Sequence, residues 1–421
     1  MASKLCVELS PSNAGVYHVP NIPSDSFETA NRLLQLNHDN HHVFFSKHGF
    51  HNHIAHYLLI DEEVVEKMND PEFFRSCFSQ EKHYHNYLTF FKRQIGKRGV
   101  GPVVYDTLFS RTQNAELHLA RVFASFLRPL IHFGFGVEFN QPAIIAERLA
   151  QGAVHQPETT HVFDSIARYE KSGTDITSTD RFIVDLIQEV EQNDKLRNAA
   201  CWGNSSDGSD NPLANAPEAL WRIAAKYRVS PYQLEAKTAE MINVCAYFTA
   251  AAQLPSKEHK LDFFFIHNVN CSILFASLLE KYWISIEDKT RLLEMKCRFD
   301  IISYAVRGSP HLDINEVIHY RPKGPESGWE GLFRRVNAFL DDSHVTKVIR
   351  SLAHGEQVSR KYEDQPGFPM PAHLFLQAAH IAMGSTEEAY YGDRWVSGAG
   401  FKKQWAKFKD RNSTQAASVG G

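Results

Sequence analysis

Seven histidines lie within one short stretch near the amino terminus, between Asn37 and Leu59. They are His38, His41, His42, His48, His51, His53 and His56. Imidazole is the commonest metal ligand in proteins and the usual proton carrier at neutral pH. Three phenylalanines and two leucines lie in the same stretch, so it is not a purely polar tail. A buried imidazole needs a partner, because an unpaired polar group in apolar surroundings costs several kcal/mol. A metal ion could satisfy several of these rings at once.

Two pairs within this cluster have helical spacing. His38 and His42 are four residues apart, and His53 and His56 are three residues apart, so each pair would share a helix face. Either pair could supply two ligands to one metal ion from a single helix. The alternative for each histidine is a surface position or a local capping role.

Two further segments place imidazoles inside apolar sequence. His132 lies where Pro129 and Gly134 are expected to distort the backbone, which could aim its ring into a cavity. The alternative is a core histidine bonded to a backbone carbonyl that Pro129 frees. His267 and Asn270 are three residues apart in a segment that is apolar nearly all round, which predicts a narrow polar spot on a buried helix. A purely structural His–Asn pair is the alternative there.

A lysine in a later apolar segment offers a different kind of ligand. Lys296 shares a predicted helix face with Leu292, Leu293 and Phe299. A buried lysine tends to lose its proton. Its neutral amine can then react with carbon dioxide, and the resulting carbamate binds metals as a carboxylate does. The alternative is an exposed lysine paired with Asp300, four residues further on.

The elements that must position these residues are predicted to be helices. Very few segments alternate with period two, so we predict an all-α protein. Helices are expected at 26–59 with a break at Gly49, and at 72–95, 116–131, 142–155, 217–226, 230–253, 260–283, 286–307, 344–354 and 372–383. We expect one large helical, bundle-like domain over 1–410 with long loops, the clearest at 201–217, and a disordered tail at 411–421.

Composition excludes several classes of protein. The net charge of −4, with 22 histidines counted as neutral, gives no basic field for nucleic acid. No secretion signal is expected at the start, and no run reaches the roughly 18 to 20 apolar residues of a membrane span. The six cysteines form no CxxC pair, which indicates reduced thiols in a cytoplasmic protein.

The common catalytic motifs are missing from the chain. No GxGxxG follows a predicted strand, and no GxxxxGK[ST], HExxH or GxSxG occurs. The ExxH spacing occurs at 158–161 and 316–319, but neither segment lies in a long apolar helix. These two segments therefore do not make the paired di-iron signature of ferritin-like bundles.

Taken together, the polar segments resemble the questin oxidase-like family. The resemblance is carried by residues 37–45 (NHxxxHxxF), 49–56 (GFHNHIAH), 127–142 (LRPLIHFGFGVEFNQP), 263–270 (FFFIHNVN) and 292–298 (LLEMKCR), and also by 304–310, 335–342 and 391–401. The matching segments follow one another in the expected order over nearly the whole chain.

The resemblance implies a helical fold without a flavin domain, and oxidative opening of an anthraquinone or related polycyclic aromatic polyketide in secondary metabolism. It implies a non-haem Fe(II) site with dioxygen as co-substrate, histidine ligands and a carboxylated lysine. The matching ligand positions are His53, His132, His267 and Lys296, and His42 is the first choice for a fourth histidine. Further roles are implied for His38 and His56, which are the next ligand candidates, with His56 a candidate proton carrier, and for Asn270, which could orient His267 or bind substrate. Candidates for a flat aromatic pocket are Phe44, Phe133, Phe135, Phe263 and Trp283.

Three alternatives remain open at this point. A metal-free monooxygenase could take electrons from NADPH, directly or through a separate reductase. A non-catalytic ligand carrier is favoured by one departure from the family: the segment after Leu59 passes directly to Ile60-Asp61-Glu62 instead of continuing as a longer, leucine-rich helix. A metal hydrolase is a weaker option, because the surroundings of His132 and His267 suit an apolar substrate better than a phosphate.

Overall fold

The computed structural model describes residues 2–10, 16, 24–40, 62–156, 160–171, 181–200, 212–323, 328–387 and 389–411. Within these residues the regular structure is helical, and the β-type pairings are two isolated bridges, Lys257 with Asp410 and Asp262 with Val396. The all-α prediction is therefore confirmed. None of the described helices is both long enough and apolar enough to cross a lipid bilayer.

The helices are numbered here in chain order. They are α1 Ser24–Asn40, α2 Glu62–Lys67, α3 Pro71–Ser76, α4 Tyr84–Arg98, α5 Val100–Val104, α6 Gln113–Arg121, α7 Arg128–Glu138, α8 Pro142–Val154, α9 Thr160–Lys171, α10 Ile183–Gln192, α11 Asp194–Ala199, α12 Pro212–Asn215, α13 Pro217–Ala224, α14 Leu234–Ala251, α15 Phe265–Ser272, α16 Leu274–Glu280, α17 Ile286–Val306, α18 Asn315–Ile318, α19 Gly328–Ala338, α20 His344–Ser359, α21 Leu374–Gly384 and α22 Lys402–Trp405.

The chain divides into two compact units. Unit 1 comprises Met1–Asp164 and Leu274–Lys289, and unit 2 comprises Ser165–Ile273 and Thr290–Gly421. The expectation of a single domain over residues 1–410 stays a prediction. Of the tail predicted at 411–421, all but Arg411 lies outside the described residues, as does the predicted helix break at Gly49.

Each unit is built around one nearly fully buried helix. In unit 1 this helix is α8, which begins at Pro142 and packs against α4 and α7. Proline suits that position because the first turn of a helix needs no N–H donor. In unit 2 the corresponding helix is α14, which packs against α15 and α20. Both helices are apolar on several faces, as the sequence of a buried helix must be.

The structure corrects the predicted helix at 116–131. Helix α6 ends at Arg121, and residues 125–127 have left-handed backbone angles, with a φ of 62° at Leu127. Helix α7 then begins at Arg128, with Pro129 in its first turn, and continues regularly through His132 to Glu138. Proline therefore opens this helix rather than distorting its end, because its missing N–H has no partner to lose there.

The predicted helix at 260–283 is also divided. The regular helix starts only at Phe265, because the buried Asp262 carboxylate accepts hydrogen bonds from the N–H groups of Phe264 (2.8 Å) and Phe265 (3.3 Å). A carboxylate at this position satisfies N–H groups that have no intrahelical acceptor. Helix α15 ends at Ser272, and α16 follows as a separate helix that ends at Glu280.

Candidate functional site

The amino-terminal histidine cluster is described only at His38, near the end of α1. The predicted ligands His42 and His53, the predicted proton carrier His56 and the predicted pocket residue Phe44 lie outside the described residues. Their roles stay predictions. The described part of the site is therefore built from His38 and from the segments further along the chain.

A buried carboxylate in unit 1 brings two of the predicted histidines together. Glu147, on α8, binds the Nδ1 atom of His38 through one carboxylate oxygen. Its other oxygen lies 2.9 Å from the Nε2 atom of His132, on α7. His38 and Glu147 are buried, whereas the side chain of His132 remains 31% exposed. Two histidines that are far apart in the sequence thus share one acceptor.

A glycine allows α7 and α8 to approach closely enough for this contact. A Cβ atom at Gly136 would lie 2.7 Å from the Ile145 side chain and 3.0 Å from the Ile145 backbone nitrogen. Both distances are too short for any larger residue without movement of α8. Because Gly136 and Ile145 flank the His132–Glu147 contact in the two helices, this close packing keeps the carboxylate within reach of the imidazole.

The histidine pair holds Glu147 in its ionised form. Burial alone would raise the pKa of this carboxyl, but the hydrogen bonds from His132 and His38 outweigh burial and lower the pKa to about 2. The carboxylate also contributes to raising the pKa of the neighbouring Tyr84 hydroxyl, on which burial acts most strongly. At neutral pH the centre therefore carries one fixed negative charge next to two imidazoles.

This arrangement also sets which ring nitrogen of each histidine can act as a ligand. An ionised carboxylate only accepts hydrogen bonds, so His38 donates from Nδ1 and His132 donates from Nε2. In the neutral form of either ring, the lone pair lies on the opposite nitrogen, which is Nε2 in His38 and Nδ1 in His132. The Nε2 atom of His38 is buried and has no partner among the described residues. A carboxylate behind a histidine is the usual support of a metal-binding or proton-transferring imidazole.

In unit 2, the backbone rather than Asn270 orients His267. The Nδ1 atom of His267 donates to the Phe263 carbonyl oxygen at 2.7 Å. The ring also packs against the rings of Phe263 and His344, with centroids 4.9 and 5.3 Å away. The expected bond between Asn270 and His267 is absent, because neither polar atom of the buried Asn270 amide has a partner among the described residues. The other predicted role of Asn270, binding substrate, stays a prediction.

Lys296 is buried and paired at the same time, which neither sequence-based alternative anticipated. Its Nζ atom lies 2.5 and 2.6 Å from the two carboxylate oxygens of Asp300, and both side chains are fully buried. Asn268 donates to the same carboxylate at 2.7 Å, and the Cys245 thiol does so at 3.3 Å. Burial acts to lower the pKa of Lys296, but the Asp300 charge outweighs it and the pKa is raised. The predicted loss of the lysine proton is therefore wrong for the unmodified side chain.

The described residues contain no group of three or more His, Cys, Asp or Glu side chains that could hold a metal ion. The histidines nevertheless fit a ligand role, since His132 and His267 each have one ring nitrogen bound to an acceptor, as metal-binding histidines do. The unmodified Lys296 side chain does not fit a ligand role, because its Nζ atom is paired with the Asp300 carboxylate. Iron and the carbamate both stay predictions.

The predicted aromatic residues are distributed over both units. In unit 1, Phe133 is buried in the core, Phe135 stacks on Phe139 with centroids 6.2 Å apart, and Trp283 is half-buried beside Gly101. Phe263, in unit 2, packs on His267. A role of these rings in substrate binding stays a prediction.

Sequence reasoning missed Glu147 and His344. The sequence did contain a signal for Glu147, which lies between the apolar segments Ile144-Ile145-Ala146 and Leu149-Ala150. Lys296 interrupts an apolar helix in the same way. His344 follows a polar loop and gave no such signal. Only the fold places it beside His267.

The chain belongs to the questin oxidase-like family, whose profile matches residues 60–352. It is 35% identical to a Baeyer-Villiger oxidase of Paecilomyces divaricatus, and the match covers 97% of this chain and 96% of that protein. It is also 35% identical to a Baeyer-Villiger monooxygenase of Cryptosporiopsis sp., over 95% of this chain and 98% of the relative. A questin oxidase of Aspergillus terreus is 34% identical, over 96% and 98% of the two chains.

Proposed function

We propose that this protein is an oxygenase that uses dioxygen to open a ring of an anthraquinone or related polycyclic aromatic polyketide. The reaction is either a Baeyer–Villiger-like oxygen insertion next to a ring carbonyl or a dioxygenase cleavage of a carbon–carbon bond. One observation carries this proposal: relatives matched over nearly the whole chain are named as Baeyer-Villiger oxidases and as questin oxidases. Secondary metabolism is the proposed setting.

The proposed cofactor is non-haem Fe(II), with His42, His53, His132 and His267 as ligands. Support comes from His132 and His267, whose hydrogen bonds to Glu147 and to the Phe263 carbonyl select the tautomer that a ligand needs. Bound iron(II) would supply the one-electron chemistry that lets dioxygen react with an electron-rich phenol. Lys296 is proposed as a further ligand only in its carbamate form, which requires the amine to leave its ion pair with Asp300.

Other residues of the chain are proposed to handle protons and substrate. Glu147 holds His38 in one tautomer, and the buried Nε2 atom of His38 can then accept a proton. His56 is a second proposed proton carrier. Asn270 has a buried amide that can both donate to a substrate carbonyl and accept from a substrate hydroxyl.

Removal of the metal is the direct test of the iron proposal. We expect the purified protein to hold iron at roughly one ion per chain and to lose turnover after thorough chelation, with recovery when Fe(II) is restored. His132→Ala and His267→Ala should each lower the iron content and leave the aromatic substrate unconverted. His354→Ala is a matched control, because His354 is a buried histidine of α20 that the proposal does not use. Full turnover after chelation would overturn the iron proposal.

A metal-free, NADPH-dependent monooxygenase is the second candidate. It is favoured by the name of the Cryptosporiopsis relative, a Baeyer-Villiger monooxygenase. A monooxygenase needs an external source of two electrons, which NADPH could supply directly or through a separate reductase. Oxygen uptake that depends strictly on NADPH, and not on iron, would favour this candidate.

A further inference from the structure

The segment Leu5–Leu9 of unit 1, which we call the amino-terminal segment, is bound along one edge by α1. The side-chain amide of Asn31 accepts from the N–H of Leu9 at 2.5 Å and donates to its carbonyl oxygen at 3.1 Å. Gln35, one turn further along α1, accepts from the N–H of Val7 at 2.7 Å. It also donates to the first carbonyl oxygen of the segment at 3.0 Å. Four hydrogen bonds therefore join α1 to the backbone of the amino-terminal segment.

A third amide, that of Gln141, binds the opposite edge of the amino-terminal segment. It accepts from the N–H of Glu8 at 2.9 Å and donates to the Glu8 carbonyl oxygen at 2.8 Å. Successive residues of an extended chain point their N–H and C=O groups to opposite edges. The binding of Val7 and Leu9 on one edge and of Glu8 on the other has this alternation. The three amides thus take the place that neighbouring strands occupy in a sheet.

Gln141 serves the amino-terminal segment instead of its own helix. It precedes Pro142 at the start of α8, where a side chain commonly caps the first turn, but the Gln141 amide makes no such bond. The residue is fully buried, and its NH₂ group also donates to the Phe139 carbonyl oxygen at 2.8 Å. A buried amide without partners is costly, so Gln141 and the segment stabilise each other.

The face of α1 that binds the amino-terminal segment also carries His38. Asn31, Gln35 and His38 are four and three residues apart, and residues with this spacing share one helix face. At the far end of that face, His38 binds Glu147 of α8. Helix α1 therefore meets α8 through the segment and Gln141 at one end, and directly through His38 at the other.

Apolar packing leaves the position of α1 weakly determined. His38 is the one buried residue of α1 among those that the structure describes. Leu33 and Leu36 of the same helix are 49% and 48% exposed. In α8, by contrast, nearly every residue is buried. The hydrogen bonds to the amino-terminal segment must therefore do much to fix α1 relative to α8.

We propose that the amino-terminal segment is a positioning element for His38. It fills the space between α1 and the start of α8, and it thereby holds α1 where the His38 ring reaches Glu147. Asn31, Gln35 and Gln141 are positioning residues, since they act on His38 through the segment and through α1. The proton-accepting role of His38 rests on the proposed function, but the placement of its ring by the segment does not.

The hydrogen bond between His38 and Glu147 gives a readout that does not depend on turnover. An imidazole N–H that donates to a buried carboxylate has a low-field proton resonance. The loss of one such resonance in His38→Ala assigns it to His38. We expect this resonance in the spectrum of the natural chain.

Two substitutions at one position test whether the backbone of the segment carries the effect. Leu9→Pro removes the N–H that donates to Asn31, and proline is compatible with an extended chain. We expect the His38 resonance to broaden or disappear in Leu9→Pro. Leu9→Ala keeps the N–H and should retain the resonance.

A substitution on the opposite edge tests the same placement. Gln141→Met removes both bonds to Glu8 with a side chain of similar size. We expect it to weaken the His38 resonance and to lower turnover by about 10-fold, the lower end of the loss when the support of a functional histidine is disturbed. Gln253→Met is the matched control, because the Gln253 amide in unit 2 binds both backbone groups of Lys260, at 3.1 and 3.0 Å. It should leave the resonance and turnover unchanged.

The resonance separates this proposal from the proposed function, because it reports the placement of His38 even in a chain that converts no anthraquinone. The proposal is overturned if the resonance is absent from the natural chain. It is also overturned if the resonance is unchanged in Leu9→Pro and in folded Gln141→Met, or if Gln253→Met loses it equally. If Gln141→Met does not fold, the comparison of Leu9→Pro with Leu9→Ala decides alone.

Discussion

Glu147→Gln is expected to lower turnover by about 10- to 100-fold, which is typical when the group that supports a functional histidine is changed. The carboxylate accepts from both His38 and His132. An amide of the same size can accept at one atom only, and its NH₂ group must donate at the other. A neutral imidazole that faces the NH₂ group must therefore change tautomer, and it then presents N–H where the carboxylate-bound tautomer presents a lone pair. Turnover and iron content per chain, measured on the same preparation, check this result.

Glu316→Gln is the matched control for this substitution. Glu316, in unit 2, also has a pKa of about 2 and ion pairs with a histidine and an arginine, His259 at 3.2 Å and Arg411 at 2.6 Å. It contacts none of the predicted ligands that the structure describes. We expect nearly unchanged turnover in Glu316→Gln. Natural turnover and iron content in Glu147→Gln would contradict the supporting role of Glu147.

Glu147→Gln should also alter how the free energy of unfolding depends on pH in acid. The pKa of Glu147 is about 2 in the folded protein, against an ordinary value of 4.5. A depressed pKa stabilises the fold at pH values above about 4.5, and this contribution is lost as the pH falls towards 2. The pKa shift of Glu147 corresponds to a contribution on the order of 3 kcal/mol to the free energy of unfolding. The stability difference between the natural chain and Glu147→Gln should therefore shrink below pH 4.5.

Asp300→Leu is expected to destabilise the protein by about 3–5 kcal/mol, the second large effect. It leaves the Lys296 ammonium fully buried without its counter-charge, and it removes the acceptor of Asn268 and Cys245. The double variant Lys296→Met/Asp300→Leu removes both charges and should recover most of the loss. Chemical denaturation of the four proteins of this cycle gives the coupling energy between the two side chains.

An exposed ion pair provides the control for this cycle. Lys361 and Glu235 form a contact of 2.6 Å, but both side chains remain largely exposed. Lys361→Met and Glu235→Leu should therefore change stability very little, since exposed pairs contribute little. If Asp300→Leu were as stable as the natural chain, the buried Lys296 ammonium would not depend on the Asp300 carboxylate, which would contradict this account.

Local sequence patterns were sufficient to predict much of the helical architecture. The helix predicted at 286–307 is α17, Ile286–Val306, and it ends where Gly308 adopts a φ of 86°. The helix predicted at 142–155 is α8, Pro142–Val154. In both cases the start and stop signals lie within a few residues of the helix ends. Such signals act locally and can be read without knowledge of the fold.

The same sequence rules predicted a wrong helix boundary where one residue type can mark either the start or the end of a helix. A proline can end a helix or occupy its first turn, and at Pro129 the sequence alone does not decide between them. The structure decides, because residues 125–127 leave the helical conformation and a new helix starts at Arg128. His132 therefore lies within a regular helix and faces Glu147, rather than at a distorted helix end.

The pairing within the site could not be predicted, because it depends on residues far apart in the chain. Glu147 is 109 residues from His38 and 15 from His132. Helical spacing shows which side chains share a face, but not which other helix that face meets. Lys296 and Asp300 are four residues apart, so their pairing could be predicted from the sequence. The complete burial of the pair could not be predicted, because burial depends on the packing of the whole of unit 2.

The central claim, that this protein inserts dioxygen-derived oxygen into an aromatic ring system and opens it, is tested most directly by isotope labelling. Purified protein with Fe(II) is incubated with an anthraquinone substrate under isotopically labelled dioxygen, with and without NADPH, and the product mass is measured. We expect a ring-opened or ring-expanded product that carries label from dioxygen, one atom for Baeyer–Villiger-like insertion or two for dioxygenase cleavage. Unconverted substrate under both conditions, or a product whose added oxygen comes only from water, would contradict the claim.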